Sequence, residues 1–304
     1  MKVLVTGKNG QLGNELAKLC PANIELELFD SKSLDITNMA TLNEVLIAHS
    51  PDVVINAAAY TAVDKAETDA EQAYLVNEQG AANLASACKS ISAKLIHVST
   101  DFVFDGTKTT PYTSDDTTNP LGVYGASKLA GEQAISNLLE GQATIIRTAW
   151  VYSVFGNNFV KSMLNLMQQK EHLGIVADQV GTPTWAQGLA KMIWSLVTQQ
   201  IQTNSVDSTQ NSNKTSILNW TDAGVASWYD FAVAIQELAI EKGLLGKAIP
   251  IRPIPASSYP TPAKRPAFSV LNKEQAEQVS GMQTIHWRSQ LSDMLDELAL
   301  KSNA

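Results

Sequence analysis

Cysteine is nearly absent. The 304 residues hold two, Cys20 and Cys88, without a C-x-x-C spacing, so neither a thiolate metal site nor a disulfide framework is in prospect. Both fall in apolar helical patterns and are expected as core thiols in a reducing, cytoplasmic setting. Histidine is also scarce. His49, His97, His172 and His286 show no metal-ligand spacing, and all four read as structural or surface residues. No metal is expected. No apolar run is long enough to span a bilayer, and no signal-peptide pattern precedes the first strand, so no membrane association is expected. Positive charge is short as well: 22 Lys and Arg face 30 Asp and Glu, a net charge of −8. That balance speaks against nonspecific nucleic-acid binding. Any bound phosphate must be met by local amides and a few cations.

What remains is ordinary for a globular enzyme, with 44% hydrophobic and 17% charged residues. The length suits one large domain or two. Strand-like and helix-like stretches alternate. Strands are predicted at Lys2–Val5, Ile24–Phe29, Asp52–Asn56, Lys94–Thr100 and Ala143–Arg147. Helices are predicted at Met39–His49, about Ala70–Ser90, and around Tyr124 and Lys128. This alternation predicts an α/β protein, a Rossmann-type doubly wound parallel sheet with ligands at the C-terminal strand ends. The expected division is residues 1–150 as the dinucleotide-binding domain, rejoined by part of the later chain. Residues 151–304 would then form a smaller substrate-binding α/β region. Prolines from Pro250 to Pro266 suggest loops over a cleft rather than more sheet. The Gln-, Asn-, Ser- and Thr-rich stretch 199–213 reads as a mobile surface insertion.

Two patterns carry chemistry. The first strand runs into Gly7-Lys8-Asn9-Gly10-Gln11-Leu12-Gly13 and then an amphipathic stretch, which makes a dinucleotide-binding entrance. Gly7 permits the tight turn, Gly10 lets the backbone approach a pyrophosphate, and Gly13 allows close helix–strand packing. The helix N-terminus would offer N–H groups to phosphate. Asp30 lies about 20 residues further on, where a carboxylate accepts a ribose 2′-OH and repels a 2′-phosphate. That placement favours NADH, with Ser31 and Lys32 able to soften the repulsion.

The second pattern is Tyr124-Gly125-Ala126-Ser127-Lys128. On a helix, i and i+4 share a face. A cation beside a phenol is expected to lower the phenol's pKa and fit it for proton exchange with a carbonyl or carbinol oxygen. Thr100 and Asp101 end the strand that should lie beside that helix. The Thr100 hydroxyl can support the Tyr124 proton transfer, or simply cap the following turn. Asn77 either holds a water for a proton relay or is a polar residue packed in its helix.

Several segments extend these patterns. They are Asn56-Ala57-Ala58-Ala59-Tyr60-Thr61, Ser99-Thr100-Asp101-Phe102, Arg147-Thr148-Ala149-Trp150, Gly156-Asn157-Asn158-Phe159 and Tyr259-Pro260-Thr261-Pro262-Ala263-Lys264-Arg265-Pro266. With the glycine turn and the Tyr124/Lys128 pair, they resemble the extended short-chain dehydrogenase/reductase family nearly end to end. The resemblance implies reduction of the C4 ketone of a nucleotide sugar by NADPH, with NADH also accepted. Tyr124 would be the proton donor, Lys128 would bind the nicotinamide ribose and tune Tyr124, and Thr100 would adjust the tyrosine's pKa. Gly10, Gln11 and Leu12 would hold the cofactor pyrophosphate. Asp30, Asp35 and Ile36 would surround the adenosine, with Ala59, Tyr60 and Thr61 farther along the cofactor. Thr100, Asp101, Trp150 and Asn158 would contact the sugar, and Lys264 and Arg265 its diphosphate. Departures occur at Val98, where relatives can carry tyrosine, and at Tyr60, where they can carry histidine. The resemblance leaves a monomer or homodimer open. Gln187 and Lys191 stand where acidic side chains would help bridge a dimer through a metal, which argues against that bridge.

Overall fold

The computed structural model describes residues 1–203 and 215–302. Its centre is a six-stranded, fully parallel sheet. In chain order its first five strands are β1 (Lys2–Thr6), β2 (Glu25–Phe29), β3 (Val53–Asn56), β4 (Lys94–Thr100) and β5 (Ala143–Thr148). The sixth, Ser216–Asn219, pairs with the outer side of β5, so the spatial order is Ser216–Asn219, β5, β4, β3, β1, β2. All four residues of β3 are buried, as expected for a central parallel strand covered by helices on both faces. The chain passes from β1 to β2 on one side, then crosses to β3 on the other. This reversal opens a crevice beyond the carboxyl ends of β1 and β3.

Helix α1 (Gln11–Lys18) and α2 (Met39–His49) follow β1 and β2. The predicted helix over 70–90 is one rod with a π-turn inside it: Ala70–Tyr74, then the π-turn Leu75–Gln79, then Gly80–Ile91. The Val123–Leu138 helix, which carries Tyr124 and Lys128, packs along this rod. Contact there is so close that a Cβ on Gly131 would sit 2.1 Å from the Asn77 carbonyl oxygen. Gly131→Ala therefore forces two backbones apart, at a cost of about 1–3 kcal/mol. Its urea midpoint is expected to fall with an unchanged m-value, and an unshifted midpoint would show that the helices separate freely.

The second half of the chain builds its own core around Tyr152, Phe231, Trp287 and Leu291. Three two-stranded sheets lie there, one of them pairing Leu173–Val176 with Ile251–Ile254. The proline-rich stretch is thus not all loop. Pro253 sits within a strand because a two-stranded sheet leaves one edge of that strand unpaired, where a missing N–H costs nothing. The predicted insertion also begins later than residue 199, since the Ala186–Thr203 helix runs through its first residues. Residues 204–213 of that reading lie outside the described residues. This helix returns to the first half, where Trp194 Nε1 donates to the Leu16 carbonyl at 3.1 Å. Cys88 is buried as expected, but Cys20 lies past the end of α1 and is half-buried. Among the described residues no helix is long and apolar enough to cross a membrane.

Candidate active site

A cleft of about 880 Å³ opens over the carboxyl ends of β1, β3, β4 and β5. One end is built by the glycine turn. Gly7 has φ +77°, and a Cβ there would fall 2.7 Å from the Ala57 carbonyl carbon. Only glycine takes this left-handed turn against a neighbouring backbone without strain. A Cβ on Gly13 would meet the Gly7 oxygen at 2.3 Å, so Gly13 lets α1 start close to the turn and does not itself line the cleft. Gly10 caps α1 with no side-chain hydrogen bond. The first-turn N–H groups are left facing the cleft, beside Gln11 and Leu12. That is the cradle a pyrophosphate needs.

Asp30, Asp35 and Ile36 line the same end, and Ala59, Tyr60 and Thr61 line the adjoining wall. The Asp30 carboxylate is already engaged. It accepts from Asn9 Nδ2 at 3.0 Å, from the Ser33 amide at 2.9 Å and from the Lys32 amide at 3.1 Å, with Lys8 Nζ 3.5 Å away. Hydrogen bonds from Ser33 foremost hold its pKa well below the usual carboxylate range.

Asn77 proves to be a clamp. Its Oδ1 accepts from the Tyr60 amide at 2.9 Å, and its Nδ2 donates to the Tyr60 carbonyl at 3.1 Å and to Ser127 Oγ at 3.0 Å. The π-turn points this amide inward. With donors and acceptor engaged, Asn77 ties the Tyr60 wall of the cleft to the Tyr124 helix.

At the other end Tyr124, Lys128, Thr100 and Asp101 face one space. Desolvation pushes the Tyr124 phenol up to about 12, opposed by a hydrogen bond with Thr100, while the nearby Asp101 charge adds to the rise. Asp101 is itself pushed up to about 6 by burial. The Thr100 hydroxyl also donates to Asp101 Oδ1 at 3.1 Å and accepts from the Phe102 amide at 3.2 Å, so it caps the turn as well as meeting the tyrosine.

Lys128 has partners that the spacing did not show. Burial lowers it to about 8. Its Nζ donates to the Val98 carbonyl at 2.7 Å and lies 3.2 Å from His97 Nε2. It is aimed at the sheet, and it is not what opposes the rise in Tyr124. The spacing put both residues on one face correctly, but it could not reveal this rival partner.

Trp150 lines the cleft in a left-handed conformation, φ +48°. Its ring is stacked on Trp228, with centroids 3.5 Å apart and planes 8° from parallel. Trp228 also lines the cleft and was missed in the sequence. The available signal was a tryptophan directly after Ser227, which caps the Trp228–Glu241 helix in a capping box with Asp230. Thr148 was missed too: it lines the cleft, and its buried Oγ1 has no hydrogen-bond partner among the described residues.

Two expected substrate-site residues, one for the sugar and one for its diphosphate, are placed elsewhere. Asn158 caps the Phe159–Gln169 helix and donates to Gln11 Oε1 at 2.9 Å and to the Ser153 carbonyl at 2.7 Å. Its neighbour Asn157 lines the cleft instead. Lys264 is exposed and off the cleft wall. Arg265 does line the cleft. It is held by both oxygens of Asp64, Nη1 to Oδ1 at 3.0 Å and Nη2 to Oδ2 at 2.7 Å.

Residues 1–300 match the model of the RmlD substrate binding domain. A dTDP-4-dehydrorhamnose reductase of Aggregatibacter actinomycetemcomitans is 39% identical over 295 residues, covering 96% of this chain and 98% of that protein. Among solved structures, a dTDP-4-dehydrorhamnose reductase from Clostridium acetobutylicum superposes with a TM-score of 0.88 at 40% identity, covering 98% of this chain and 99% of that one. The Bacillus anthracis dTDP-4-dehydrorhamnose reductase, solved in complex with NADP, gives a TM-score of 0.86 at 34% identity, covering 97% and 99%.

Proposed function

This chain belongs to the RmlD substrate binding domain family, and from that premise we propose that it reduces the C4 ketone of dTDP-4-dehydro-β-L-rhamnose to dTDP-β-L-rhamnose. The observation that carries the reading is a single cleft joining an open glycine turn to Tyr124, Thr100 and Asp101. NADPH, when bound, supplies the hydride. The uncapped α1 N-terminus and Gly10 suit its pyrophosphate, and Asp35, Ile36, Ala59, Tyr60 and Thr61 form walls for the rest. Lys128 serves the ribose end and the proton supply to Tyr124.

The protein's own part is binding and proton delivery. Tyr124 is protonated at neutral pH as any phenol is, and desolvation pushes it further up. It gives its phenolic proton to the C4 oxygen as negative charge develops there. Thr100, by turning its one hydroxyl proton from Asp101, can hydrogen-bond the same oxygen, and Trp150 packs on the sugar. Arg265, presented by Asp64, meets the diphosphate. The deciding experiment is loss of NADPH absorbance on adding the dTDP 4-keto sugar. No cofactor oxidation with any nucleotide-sugar ketone would remove the reductase reading.

The Asp30 carboxylate favours a ribose 2′-OH over a 2′-phosphate at the cleft end where the adenosine is placed. Asp30→Ala is expected to raise the ratio of kcat/KM for NADPH over NADH several-fold, since Lys8 and Lys32 remain nearby. A ratio unchanged from wild type would mean that Asp30 faces away from the ribose.

A further inference from the structure

His97 is 1% exposed and takes no part in the steps above. It belongs to a chain of hydrogen bonds across the ends of four neighbouring elements. Thr6 Oγ1, at the end of β1, donates to Asn56 Oδ1 at 2.7 Å, and the Ala58 amide donates to the same oxygen at 3.1 Å. Asn56 Nδ2, at the end of β3, lies 2.9 Å from His97 Nδ1 in β4. His97 Nε2 in turn lies 3.2 Å from Lys128 Nζ.

The direction of this chain follows from its far end. The Ala58 amide can only donate, so the Asn56 side chain must present its oxygen there and its N–H to His97. Nδ1 is therefore an acceptor. Burial, then the Lys128 charge, push the imidazole pKa well below its ordinary value, so His97 is neutral and carries one proton. With Nδ1 accepting, that proton sits on Nε2 and points at the lysine nitrogen. An N–H aimed at Nζ suits an amine, whose lone pair accepts it, and opposes an ammonium, which has none.

We propose that His97 is a positioning residue of the reduction, one that holds the Lys128 nitrogen and makes its ammonium a readier proton donor to the spent tyrosine. The inference rests on the reductase reading for its setting. After Tyr124 has given its proton to the C4 oxygen, a water in the shared cleft gives a proton to the phenolate and re-forms its O–H bond, and an N–H bond of the Lys128 ammonium breaks to return a proton to that water. The resulting amine accepts the His97 Nε2–H, and a proton from water later restores the ammonium. Other charged groups around the pair are accounted for. Glu132 lies one turn beyond Lys128 and raises its pKa, but Glu132 is bound by Arg147 of β5. Asp101 follows β4, and Tyr124 shares the lysine's helix. Thr6 and Asn56, from β1 and β3, carry no charge.

The test titrates Lys128 directly, by NMR of protein carrying 13C at the lysine ε-carbon, with its peak identified by its loss in Lys128→Met. His97→Gln can turn an amide oxygen to Nζ and so favour the ammonium. Lys128 is then expected to titrate about one pH unit higher, and the alkaline limb of kcat/KM to move the same way. His97→Phe keeps a ring but makes no hydrogen bond. It should lower kcat about tenfold with NADPH affinity nearly unchanged, and His97→Gln should recover part of that loss. If His97→Phe fails to fold, the glutamine variant alone carries the test. Wild-type Lys128 titration in a folded His97→Gln protein would overturn the inference. The titration needs no sugar, so a wild-type enzyme that leaves NADPH unoxidised would instead overturn the reductase reading.

Discussion

Tyr124→Phe is expected to lower kcat by about 10²- to 10⁴-fold while NADPH binding stays nearly intact. The phenolic proton is needed only as charge grows on the C4 oxygen, so its removal strikes the transition state and spares the ground state. The ring itself should keep its place. Phe102 meets it edge-on, with centroids 5.6 Å apart, and that contact needs no hydroxyl. Lys128→Met should differ in kind, damaging both cofactor affinity and kcat, since that side chain is read as serving ribose and tyrosine together. Stopped-flow reduction and cofactor fluorescence titration separate the two cases. Wild-type turnover in Tyr124→Phe would take the tyrosine out of the mechanism and leave Asp101, with its raised pKa, as the next proton donor to test.

Arg147→Met is expected to destabilise the fold by about 3–5 kcal/mol. Arg147 and Glu132 are both buried, each side chain 3% exposed, and joined through Nη2 to Oε2 at 2.6 Å and through Nε to Oε1 at 3.0 Å. Ser99 Oγ donates to the same carboxylate at 2.5 Å. Removing the arginine leaves a buried carboxylate with one hydroxyl bonded to it and only the Lys128 charge one turn away, and the cost is mostly that lost pairing. Pairing the change with Glu132→Leu removes the orphan, so the double variant should be more stable than Arg147→Met alone. Chemical denaturation of the two single variants and the double one completes the cycle. A double variant no more stable than Arg147→Met would place the loss in packing, for instance of the guanidinium against the Phe104 ring 5.1 Å away.

Much of this molecule was legible in its residues. The parallel strands announced themselves because a strand buried on both faces must be apolar throughout, as Val53-Val54-Ile55 is. The glycine turn was readable because its spacing follows directly on a strand and opens a helix, although the backbone that forbids a side chain at Gly7 is that of Ala57, fifty residues on. Tyr124 and Lys128 were placed together by helical period alone. What escaped depended on distant partners. Nothing near Lys128 in sequence announces His97 or the Val98 carbonyl, which lie about thirty residues away and take up its Nζ. Asn158 looked like a sugar ligand until the cap it forms and its bond to Gln11, 147 positions away, came into view. Trp228 reached the cleft from the other half of the chain, and Lys264 lies exposed off the cleft wall while its neighbour Arg265 lines it.

The outer strand of the sheet, Ser216–Asn219, is supplied by the chain long after its neighbour β5. A ribosome therefore releases β5 with an unpaired edge, and that edge waits while the Ala186–Thr203 helix and the residues before it are made. Until then the nascent protein exposes a row of backbone donors and acceptors in Ala143-Thr144-Ile145-Ile146, a template on which a second unfinished chain can pair. Truncation anywhere between β5 and Asn219 freezes that hazard in place. Fragments ending near residue 150 should be recovered as aggregates, and the vulnerable interval in the life of this protein is its synthesis rather than its service.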